Sequence, residues 1–115
     1  MLQKENRLKK RSAFAGTYKT GKVLHKDGIT LFIGKEKTNP NPVKIGFVVS
    51  KKFHKRAVKR NRIKRLMRES CRLLIKENRI PDKYLSLIFT ASSKLIDKDY
   101  KEVSRIINYL VQKLW

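Results

Sequence analysis

Acidic side chains are scarce in this sequence. Nine Asp and Glu stand against thirty Lys and Arg in 115 residues, a formal net charge of +21 at pH 7. A compact domain with that excess repels itself, so the shortage of acid implies a polyanion that neutralises it, nucleic acid first and an anionic membrane surface second. Cysteine is nearly absent. Cys71 cannot form an internal disulfide, and its place in a helical apolar rhythm marks a small core residue in a reducing compartment. No apolar run approaches the roughly 18 residues of a membrane span, and the N-terminal "MLQKENRLKKR" lacks the apolar region of a secretory leader. The expectation is a soluble, cytoplasmic chain that engages no membrane. Enzyme signatures are missing as well. The five glycines form neither G-x-G-x-x-G nor G-x-x-x-x-G-K-[ST], and there is no G-x-S-x-G or H-E-x-x-H. His25 and His54 have no Cys or acidic neighbour at metal-ligand spacing and are expected in turns or at the surface. Asp97 and Asp99 suit a helix start better than a metal pair. No catalytic residue and no metal site are expected on the chain.

What is present fits one small domain with a single core. Ser12 is a good N-cap, with Phe14, Ala15 and Tyr18 on one stripe and Gly21 as a stop, which predicts a first helix over 12–20. "ITLFIG" (29–34) and "VKIGFVVS" (43–50) are β-branched and aromatic runs separated by "KEKTNPNP", so they predict two strands forming an antiparallel pair. A weaker strand around 22–24 precedes them. From about 56 to 78 the period becomes helical, with Ile63, Leu66, Met67, Ser70, Cys71 and Leu74 on one face. "KYLSLIF" (83–89) resumes a strand. A last helix after Asp97 and Asp99 carries Val103, Ile106, Ile107, Leu110, Val111 and Leu114 on its stripe. The order α-β-β-β-α-β-α predicts a single α+β domain over 1–115 with helices layered on one small sheet.

The segment "AVKRNRIKRLMRESCR" (57–72) holds seven Arg and Lys in sixteen residues. With Ile63 at 0° on a wheel of 100° per residue, the apolar residues lie within about 80°, while Asn61, Lys64, Arg65, Arg68 and Arg72 lie between about 100° and 200°. Glu69 is the only acid from 51 to 76, so the i, i+4 ion pairs of an ordinary solvated helix are missing. Residues 51–68 carry ten bases and no acid, and Arg7, Lys9, Lys10 and Arg11 add a further cluster. Phosphate binding follows. Guanidinium forks match phosphate oxygens, and Asn61 between Arg60 and Arg62 adds amide groups for a sugar or a base edge.

An aromatic group accompanies the charge. Phe14 and Tyr18 are four apart on the first helix, and strand alternation puts Ile29, Leu31 and Ile33 on one face, leaving Thr30 and Phe32 on the other. A cleft between first helix and sheet, with Lys51 and Lys52 at its mouth, would suit a single strand whose bases stack on aromatic rings. Burial of these three rings in a core is the competing reading.

The stretch "VSKKFHKRAVKRNRIKRLMRE" (49–69) resembles the signature of the bacterial ribonuclease P protein subunit, as do "NRLKKRSAF" (6–14) and "IGF" (45–47). That resemblance implies an α-β-β-β-α-β-α sandwich with a left-handed βαβ crossover, like domain 2 of ribosomal protein S5. It implies a heterodimeric ribonucleoprotein in which the RNA subunit is the catalyst and holds most of the Mg²⁺. The protein would assist endonucleolytic removal of the 5′ leader from precursor tRNA. Its RNA-binding residues would be Lys51, Lys52, Arg56, Arg60, Asn61, Arg62, Lys64, Arg65 and Arg68, and its leader cleft Phe14, Tyr18, Phe32 and Ser50. This chain departs from the pattern at His54, Lys55 and Arg56, where many members have Gly-Asn, and at Phe89 and Thr90, where many have a basic pair. A ribosomal structural protein would share the size and charge without needing an aromatic cleft. A major-groove DNA reader would share the helix, but its basic face would offer only Asn61 as a base-reading amide.

Overall fold

The computed structural model describes residues 4–50, 52 and 55–115. Its elements run α1 (Arg11–Lys19), β1 (Lys22–Lys26), β2 (Ile29–Ile33), β3 (Lys44–Val49), α2 (Ala57–Lys76), β4 (Ser86–Ala91) and α3 (Tyr100–Gln112), with 3₁₀ turns at Lys4–Asn6 and Ser93–Leu95. The predicted order is the observed one. None of the described helices is long and apolar enough to cross a membrane.

Strand partners differ from the expectation. β1 and β2 form the hairpin, closed by Asp27 and Gly28 with φ of +45° and +97°, the left-handed pair that a tight two-residue turn needs. β2 and β3 do not pair. The sheet order is β1-β2-β4-β3, with β4 antiparallel to β2 and parallel to β3. The reason lies in the connections. Parallel neighbours require a crossover, α2 supplies it, and β4 returns between the two earlier strands. As an inner strand β4 is covered on both faces, which accounts for its near-continuous apolar run.

Register sorts the sheet into two faces. Ile29, Leu31 and Ile33 stand opposite Ala91, Phe89 and Leu87, which in turn stand opposite Val49, Phe47 and Ile45. This face holds the main core, covered by Ile63, Met67, Cys71 and Leu74 of α2 and by the whole predicted stripe of α3. Leu66, at the margin of the α2 stripe, is only half-buried. Burial pushes the Cys71 thiol far above its ordinary range, leaving a neutral packing group.

The starts of α1 and α3 are set differently, the first by tertiary anchoring and the second by its local cap. Ser12 does not cap α1. The N-cap is Lys10, whose carbonyl accepts from the amides of Ala13 (3.0 Å) and Phe14 (3.2 Å). The preceding chain is tied to the β3 edge by Leu8 N–H to Ile45 O at 3.0 Å and by Asn6 Nδ2 to Val43 O at 3.0 Å, so that anchoring, not the serine, sets the start. Asp99 behaves as predicted and accepts from the Glu102 amide at 3.0 Å. Asp99→Ala should therefore cost about 1 kcal/mol in urea unfolding. An unchanged midpoint would mean that packing alone holds the start of α3.

Candidate nucleic-acid interface

α2 separates its two roles by face. Ile63, Met67, Ser70, Cys71 and Leu74 are buried, whereas Asn61 and Arg65 are exposed and Arg60, Arg62, Lys64 and Arg68 are half-exposed. Its single acid, Glu69, pairs with Arg72 of the same helix. Arg72 Nε donates to both Glu69 carboxylate oxygens at 3.0 and 3.1 Å, and this contact holds the Glu69 carboxyl below its ordinary range. Among the described residues, Arg62, Lys64, Arg65 and Arg68 form no ion pair. Their positive field is uncompensated. Arg60 is partly turned back, donating from Nη1 to the Lys55 carbonyl at 3.0 Å. Arg56 is the exposed N-cap residue of α2, and Lys52 is exposed ahead of it. Lys51 and His54 lie outside the described residues. His25 sits in β1, not in a turn, exposed and hydrogen-bonded through Nδ1 to Thr30 Oγ1 at 2.9 Å.

The aromatic group assembles on the opposite face of the sheet, beneath α1. Tyr18 and Phe32 meet edge to face, centroids 4.8 Å apart and planes at 85°, with Tyr18 41% exposed. Phe14 lies over β3 at Gly46, where an added Cβ would come within 2.7 Å of its ring. Only glycine leaves that ring its place. Phe14 is half-buried there and shares a groove of about 320 Å³ at the β3 edge with Arg7, Lys9, Lys64 and Arg68. The rings are thus neither fully buried nor free, and the groove joins one of them to the cationic face of α2. Ser50 is exposed just past the end of β3, four residues and about 13 Å along the strand from Gly46, so it marks the mouth and not the ring cluster.

Several contributors were missed by sequence reasoning. Arg7 and Lys9 reach the α2 groove because their segment extends along the β3 edge, a long-range pairing that has no local signal. Tyr100 opens α3 beside Arg62, Arg65 and Arg68 in a second groove of about 590 Å³ between α2 and α3. The variant pair divides between faces. Phe89 is fully buried and stacked on Phe47 at 5.9 Å, while Thr90 takes the α1 face, with its Oγ1 buried and unpartnered among the described residues.

These features match known proteins over nearly the full chain. A family model described as Ribonuclease P matches residues 2–115. The ribonuclease P protein component of Clostridium botulinum (strain Langeland) is 40% identical over 108 residues, covering 93% of each chain. Among solved structures, the RNase P protein of Staphylococcus aureus superposes with a TM-score of 0.78 at 26% identity, covering 95% of this chain and 94% of that one. The Thermotoga maritima RNase P protein gives 0.78 at 25% identity, covering 93% and 96%.

Proposed function

This chain belongs to the ribonuclease P protein family, and from that premise we propose that it binds the catalytic RNA through α2 and holds the 5′ leader of precursor tRNA along α1. The observation carrying this reading is the shared groove in which Phe14 lies beside Lys64 and Arg68. A strand entering it meets a ring for a base and cations for its phosphates. RNA docking rests on Lys52, Arg56, Arg60, Asn61, Arg62, Lys64, Arg65 and Arg68, with Lys51 beside them in sequence. Leader contact rests on Phe14, Tyr18 and Phe32, with Ser50 at the mouth. Val48, half-buried on the same face as Gly46, extends the wall between them.

The protein's part is electrostatic and positional, and the hydrolytic chemistry belongs to the RNA. Mg²⁺ needs oxygen ligands, and no group of three His, Cys, Asp or Glu among the described residues could hold it. In this reading the metal is carried by RNA phosphates, and the protein neutralises charge around it.

Reconstitution tests the proposal. Mixing the protein with a bacterial ribonuclease P RNA and a precursor tRNA at low Mg²⁺ should accelerate cleavage at the mature 5′ end and tighten precursor binding. Unchanged cleavage and affinity would refute it. In the same assay Phe14→Ala should weaken leader-bearing precursor by about 1–3 kcal/mol and leave mature tRNA unaffected. Equal loss for both, or unfolding, would assign Phe14 to packing alone.

A further inference from the structure

We infer that the groove on the other flank of α1 is a binding site for a nucleoside phosphate. α1 is pinned to the sheet by the Thr17 hydroxyl, which bonds Ser86 Oγ and the Ala13 carbonyl. Tyr18 leans to one side against Phe32, while Ser12, Ala13 and Gly16 face the other. There they bound a groove of about 610 Å³, closed by the N-terminal segment and by the beginnings of β3 and β4. That volume lies within the roughly 300–1,000 Å³ typical of small-molecule sites.

Two chemistries meet in it. Lys4, Arg7, Lys9, Lys10, Lys35 and Lys44 line it, and no lining residue is acidic. The walls between them are apolar, formed by Leu8, Pro42 and Leu85, and Leu85 stays 46% exposed. A phosphate suits the cations, and a base suits the apolar wall. Inorganic phosphate would leave that wall wet. The groove opens at the starts of β3 and β4, whereas α2 follows the far end of β3; the two grooves meet at Arg7, Leu8 and Lys9, which line both, while Ser12, Gly16, Lys35 and Leu85 line this one alone. The ligand is tested on the protein alone, so the inference stands or falls independently of the ribonuclease P reading.

Gly16 provides the test. A Cβ added there meets nothing within 4 Å, so a larger side chain would project into the groove without displacing the packing. Leucine also favours the helix over glycine. The full chain is titrated with ADP, with pyrophosphate and with a single-stranded uridine pentanucleotide, following backbone amides by NMR. ADP should shift the amides of Gly16 and Ser86 and bind about tenfold tighter than pyrophosphate, and Gly16→Leu or Lys35→Gln should weaken it about tenfold. A pentanucleotide that binds tighter still, and loses that advantage in Gly16→Leu, assigns the site to a strand. Equal affinity for ADP and pentanucleotide assigns it to a free nucleotide. Pyrophosphate matching ADP, shifts confined to α2, or an ADP affinity that neither substitution changes would each overturn the inference.

Discussion

Replacing Arg62, Arg65 and Arg68 together by glutamine is expected to weaken binding to ribonuclease P RNA by about a thousandfold or more, since three charge-assisted contacts at roughly 1.5–3 kcal/mol each amount to about 4.5–9 kcal/mol. The three side chains are the favourable targets because no acid in the described structure neutralises them, and Glu69 is already held by Arg72. Glutamine retains helix propensity and some donor capacity, so the loss reports charge. A second readout separates phosphate contacts from misfolding. Each lost contact removes about 0.7–0.9 released counterions, so the slope of log affinity against log salt should become shallower by about 2. A changed affinity with an unchanged slope would mean that these arginines do not touch phosphates. Helical circular dichroism should stay as in the parent chain, because Ile63, Met67, Cys71 and Leu74 seat the helix from its other face.

The largest stability effect is expected at Phe89. Its ring is fully buried, stands opposite Leu31 and Phe47 on the two neighbouring strands, and stacks on Phe47. Truncation to alanine removes a ring from the middle of the sheet and leaves a cavity that flanking strands cannot close, a loss of about 3–5 kcal/mol. For a domain whose total stability is of order 5–15 kcal/mol, that is a large share. Urea unfolding should show a lowered midpoint, and a shift equivalent to less than about 1 kcal/mol would mean that the site collapses freely. Phe89 thus belongs to the core, while Thr90 stands on the α1 face of β4.

The site was legible in proportion to how local its signals are. The cationic face of α2 follows from residue spacing on one helix, and the half-exposed arginines opposite a buried Ile63 and Met67 are what that spacing requires. Alternation along β2 likewise turns Phe32 away from Leu31, and the structure puts it against Tyr18. Three features escaped. Ser12 reads as a cap, but the chain is anchored upstream at Ile45. β2 and β3 read as partners, but β4 separates them. Arg7 and Lys9 read as a further basic cluster with no assigned place, yet they line the groove of Lys64 and Arg68.

By itself, then, the sequence determined the element order, the apolar stripes of α2 and α3, the excess of positive charge and the one-sided face that carries it. Those properties depend on neighbours within a few residues, where a period of 3.6 or 2 decides which side chains share a face. Only the tertiary structure decided which strands pair, that Phe14 lies over Gly46 beside the α2 cations, and that the flank of α1 at Gly16 opens into a second basic groove. Each depends on chain segments tens of residues apart, brought together by burial of a common core, and burial acts on surface removed from water whatever the separation along the chain.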